Sequence, residues 1–142
     1  MRARQHLLHV VTLGSLLIAS AALAAEPDPK LPPIQRLKEP KPTNAVFKAS
    51  SWKKPLEIDS LEAAAPYFTE KALATLKTKV DFAHQKLLIF AWRGSGQDRL
   101  TYSVAESYPE QVFFRYRRGR TKDLRPHLHM YLLRANVRWS VK

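Results

Sequence analysis

The stretch "KLLIFAW", Lys86 to Trp92, is apolar at every position after the lysine. A run without alternation reads as a central strand covered on both faces. Alternation begins after it. In "RLTYSVAE", Arg99 to Glu106, Leu100, Tyr102 and Val104 fall on one face and Thr101, Ser103 and Ala105 on the other. In "QVFFRYRR", Val112, Phe114 and Tyr116 oppose Phe113, Arg115 and Arg117. Both predict strands with one covered face. "RGSGQD", Arg93 to Asp98, and "SYPE", Ser107 to Glu110, carry turn chemistry. A hairpin with positive φ at a glycine accounts for the first of them. The stretch His127 to Lys142 reads as one or two further strands. Leu128, Met130 and Leu132 have one parity and Leu133, Val137, Trp139 and Val141 the other. That conflict predicts a bulge or turn near Arg134 to Asn136.

Upstream the period changes. Leu61, Ala65, Phe68, Ala72, Leu76 and Val80 recur every three or four residues, a helical stripe. Asp59 and Ser60 offer N-caps, with Glu62 three after Asp59. Pro66 lies inside the stripe and should kink or split the helix, with Thr69 capping a second piece from Glu70. Val46-Phe47 and Ser51-Trp52 read as a short strand or a packed arm. The expected fold class is α+β. It is a single domain over residues 45–142, a mostly antiparallel four- or five-stranded sheet in a meander. A kinked helix, about residues 59–79, covers one face. Trp92 and Trp139 are expected in the core.

The first 44 residues differ in kind. Arg2 and Arg4 precede an apolar run from Val10 to Ala25 that ends in Ala22-Leu23-Ala24-Ala25. A positive start, an apolar centre and a small-residue exit form the pattern of a secretory signal peptide over residues 1–25. The run is shorter than the roughly 20 residues of a spanning helix. The alternative is an anchor that is kept. Residues 26–44, "EPDPKLPPIQRLKEPKPTN", include six prolines. That composition predicts a stiff, extended linker outside the core. The signal places the mature chain in the periplasm or outside the cell. The chain has no cysteine, so there is neither a disulfide framework nor a lipid-bearing cysteine.

Charge narrows the function. There are 24 basic and 12 acidic side chains, a formal charge of +12. Without Arg2 and Arg4 the excess is +10. Arg115, Arg117, Arg118, Arg120, Lys122 and Arg125 fall within eleven residues. Guanidinium forks match carboxylate and phosphate oxygens, so these residues are the anion-binding candidates. Export points to an anionic glycan, a lipid headgroup or an acidic protein surface in preference to nucleic acid. The bland alternative is a solvated basic face, with Asp123 pairing one arginine to fix the loop.

Two other constellations carry candidate chemistry. His127 and His129 share a strand face, and Asp123 is the acid near them. The trio is the weaker alternative, a metal-dependent or hydrolytic enzyme. Zinc needs three or four ligands, and the expectation is no metal, no cofactor and no catalytic residue, with the histidines on the surface beside Tyr131. Gly94-Ser95-Gly96 lacks the Lys-Ser/Thr sequel of a phosphate loop and the setting of a nucleophile elbow.

The stretch "DFAHQKLLIFAWRGSG" resembles the start of the C-terminal domain of bacterial PrcB-like proteins, from Asp81 to about Glu106. That resemblance implies an exported, β-rich accessory domain that binds another protein and has no catalytic residues to transfer. A further alternative, an accessory subunit recognising a protein, predicts a salt-insensitive apolar patch around Phe113. The Arg-rich loop and "DLRPH" lie outside that pattern and resemble small exported bacterial proteins of uncharacterised function.

Overall fold

A computed structural model describes residues 30–142. The expected signal peptide and the first residues of the proline-rich segment lie outside them. The described chain is mostly β. Its strands are β1 (Ile34–Leu37), β2 (Leu56–Ile58), β3 (Gln85–Gly94), β4 (Arg99–Ala105), β5 (Gln111–Arg117), β6 (Arg125–Arg134) and β7 (Arg138–Val141). They form two sheets instead of the one expected. The larger is antiparallel in the order β1-β6-β3-β2. The smaller has the order β4-β5-β7, with β5 and β7 parallel.

The apolar run of β3 explains the layering. Leu87, Ile89 and Ala91 point to one side and pack with Phe68, Leu76 and Val80 of the helical segment. Leu88, Phe90 and Trp92 point to the other and pack with Leu100, Val112 and Phe114 of the small sheet. Phe90 meets Phe114 at a ring separation of 4.7 Å. Helices, large sheet and small sheet are therefore three successive layers with a core on each side of β3. The strand is buried on both faces, as its composition requires.

The helical layer is split where the sequence indicates. Ser60 caps α2 (Leu61–Ala64) by accepting from the Ala63 amide. A 3₁₀ turn, Ala65–Tyr67, contains Pro66, and Thr69 caps α3 (Glu70–Lys79) by accepting from the Ala72 amide. The break is complete, so the expected single kinked helix is two short helices and a turn. It also shifts the stripe by one residue: Ala64 is buried and Ala65 exposed. Val46–Ala49 is one further helical turn, α1, and not a strand.

Three expectations about connections are corrected. The segment read as a linker contains β1, whose residues pair with Met130 to Leu133 of β6. Edge position makes this possible for a proline-flanked strand, since only one side needs donors. The β3–β4 connection is a corner between sheets and not a hairpin of a meander. No described glycine has positive φ. The conflict of parities after His127 resolves as foreseen, by a turn at Ala135 and Asn136 between β6 and β7. Arg134 fixes this turn. Its guanidinium donates to Glu110 at 2.6 Å, to the Leu31 carbonyl at 3.1 Å and to Asn136 at 3.0 Å. Trp92 is buried as expected, whereas Trp139 is half-buried and donates to Glu57 at 2.9 Å.

Candidate anion-binding surface

The outward side of the small sheet follows from strand parity. Val112 and Phe114 are buried, so Phe113, Arg115 and Arg117 of β5 face away from the core. Register then places Arg99 opposite Arg117, Thr101 opposite Arg115 and Ser103 opposite Phe113. On the far side of β5, Arg138 is opposite Gln111 and Ser140 opposite Phe113. The Lys142 ammonium sits 4.1 Å from the centre of the Phe113 ring. This outer face thus carries Arg99, Arg115, Arg117, Arg138 and Lys142, and none of its outward positions on the three strands is acidic. Like charges directly opposite each other destabilise a sheet.

The end of β5 leads into the loop 118–124, which continues the charge through Arg118, Arg120 and Lys122, all exposed. This loop is held by two carboxylates. Asp98 is only 3% exposed. It accepts from the Gly119 amide at 2.8 Å, the Trp92 indole at 3.0 Å and the Tyr116 hydroxyl at 3.0 Å. Burial pushes its carboxyl up. The three donors, with His127 nearby, outweigh that and hold it below the usual carboxylate range. Burial and the Asp98 charge push the Tyr116 hydroxyl up. Asp123 accepts from the Gly96 amide at 3.1 Å and from Arg125 at 2.6 Å. The Thr121 hydroxyl, the Gly96 amide and Arg125 lower its pKa to about 2.

The glycines serve these contacts by their lack of a side chain. A Cβ at Gly94 would collide with the Asp98 carboxylate, and one at Gly119 with Ser95 and Gln97. Close approach, not backbone handedness, is what the turn requires.

The sequence candidates fall into separate groups. Arg115 and Arg117 stand on the sheet face, and Arg118, Arg120 and Lys122 on the loop. Arg125 begins β6 and is the arginine that Asp123 holds, so it ties the loop instead of standing free for a ligand. Arg99, Arg138 and Lys142 were missed. The alternation of "RLTYSVAE" already puts Arg99 on the polar face, but Arg138 and Lys142 join it only through the parallel β5–β7 pairing.

His127 and His129 are half-buried, not on the surface, because β6 is covered on both sides. Trp92 stacks on both rings, at 4.8 Å and 5.4 Å. His127 Nε2 is 2.7 Å from the Ser95 carbonyl oxygen. Burial, then Arg36 and His127, lower the His129 pKa to about 4. Asp123 is engaged by the loop. Among the described residues no group of three or more acids and histidines is arranged to hold a metal ion. Ser95 Oγ contacts the Thr121 hydroxyl at 2.6 Å and accepts from the Gln97 amide, and among the described residues no hydrogen bond joins it to an imidazole.

Among the described residues no helix is long and apolar enough to cross a membrane. No family model, curated protein or solved structure matches the chain.

Proposed function

We propose that the chain is an exported, non-catalytic binding domain that engages an anionic partner through the outer face of the small sheet and the adjoining loop. The observation that carries this reading is the acid-free face bearing Arg99, Arg115, Arg117, Arg138 and Lys142. Nothing about folding requires two arginines opposite one another. Charge-assisted, bidentate contacts with carboxylate, sulfate or phosphate oxygens are what such a face offers. The test is retention on an immobilised anionic glycan and on anionic vesicles across a salt series. Retention should weaken steadily with salt and be lost in Arg115→Glu/Arg117→Glu. Retention no greater than that of a control protein of equal net charge whose basic residues are scattered would refute it.

A second reading has its own observation. β4 is an edge strand; its Tyr102 and Val104, and Tyr108 just beyond its end, are 43%, 38% and 95% exposed. Phe113, by contrast, is half-buried and covered by Lys142. A protein partner of the kind the PrcB-like resemblance implies would add a strand at β4. Its binding would be insensitive to salt and lost in Val104→Pro.

A further inference from the structure

Between the β3–β4 corner and the loop 118–124 lies an open groove of about 870 Å³. Its wall includes Trp52, Tyr116, Arg118, Arg120 and Lys122. Trp52 lies flat on Tyr116, with ring centres 4.2 Å apart and planes at 12°. One face of the indole is thereby occupied, yet the residue remains only half-buried. Its position is held firmly. Ser50 Oγ donates to the Ile89 carbonyl at 2.6 Å and accepts from the Ala91 amide at 3.0 Å. Ser51 and Lys54 close the turn on the other side of Trp52 with two hydrogen bonds of 2.9 Å.

The charges in the groove are unequally engaged. Its two acids, Asp98 and Asp123, are saturated by the donors already described. Arg118, Arg120 and Lys122 are exposed and take part in no ion pair among the described residues. A half-open aromatic plane beside unopposed cations matches a ligand with an apolar face and an acidic edge.

We infer that this groove binds a uronate unit of an acidic glycan, with the pyranose C–H face on Trp52 and the carboxylate on Arg118 or Arg120. This deepens the proposed function and rests on it. A free phosphate lacks the apolar face. A nucleotide has a stacking face and an anionic edge, and is the competing occupant that the test must exclude.

Tryptophan fluorescence and calorimetry on the purified protein would use four probes. These are an oligogalacturonate, its fully methyl-esterified form, polyglutamate and a single-stranded oligothymidylate. The oligogalacturonate should bind and alter the fluorescence, and the uncharged ester should not bind. Trp52→Ala should weaken oligogalacturonate about tenfold and leave polyglutamate unchanged. Trp52→Phe should restore most of the loss, and thermal melts should show both variants folded. Unaltered oligogalacturonate affinity in Trp52→Ala, or tighter binding of oligothymidylate, would overturn the groove assignment while leaving the sheet-face reading intact. Failure of polyglutamate and oligogalacturonate alike would overturn both.

Discussion

Arg99 and Arg117 are direct cross-strand partners on the open face of the β4–β5 pair. The sheet would be better off with opposite charges there. Arg117→Glu places an acid opposite Arg99. It should stabilise the fold by about 0.5 kcal/mol and weaken binding to an anionic polymer about tenfold. Thermal melts and a binding isotherm on the same sample check the opposed signs. A variant that is both less stable and equally retentive would contradict the role given to this pair.

Asp98 is the fastening of the basic loop. Asp98→Ala leaves the Trp92 indole, the Tyr116 hydroxyl and the Gly119 amide without their acceptor. The expected cost is about 3 kcal/mol, read by denaturant unfolding. Gly94→Ala should act in the same direction, because its Cβ would displace the same carboxylate.

His129 gives stability a pH dependence. Its folded pKa, about 4, lies below the ordinary 6.5, so the unfolded chain binds the proton more readily. Its contribution is complete above pH 6.5 and declines as pH falls from there toward 4. His129→Phe keeps a ring against Trp92 and Tyr131 and should flatten the upper part of that decline. Melting temperatures measured across the window decide it.

Arg134 joins three parts of the chain that are distant in sequence: Leu31, Glu110 and the β6–β7 turn. Arg134→Ala should lower the melting temperature more than Glu110→Gln does, since the latter leaves the other two contacts in place. The Glu110 carboxyl is held below its usual range by the Arg134 hydrogen bond. The pair's share of stability is thus present above the unfolded Glu value and fades as pH falls below it.

Much of the local chemistry was legible in the sequence, although the helical turn Val46–Ala49 and the glycine conformations at the β3–β4 corner were not. Ser60, Pro66 and Thr69 announced the helix ends, and the run from Leu87 to Trp92 announced a strand covered on both sides. The parity of Phe113, Arg115 and Arg117 was also correct. What escaped was pairing over long separations. A short apolar word, Ile34 to Leu37, among prolines gives no sign of its partner near Met130. The split into two sheets escaped because a corner and a hairpin use the same residues, Gly94 to Asp98. The groove escaped for the same reason: Trp52 and Tyr116 are 64 positions apart in the numbering and meet only once both sheets are stacked.

β6 is flanked by β1 on one side and β3 on the other. During synthesis from the N-terminal end, Ile34 to Leu37 has no partner until Met130 to Leu133 has been made. β5 can pair with β4 as soon as it is made, but its other edge waits for Arg138 to Val141. Pairings of such separation close slowly. Both sheets therefore gain their last pairings from one stretch, Arg125 to Val141, whereas β2–β3 and β4–β5 can pair before that stretch is made.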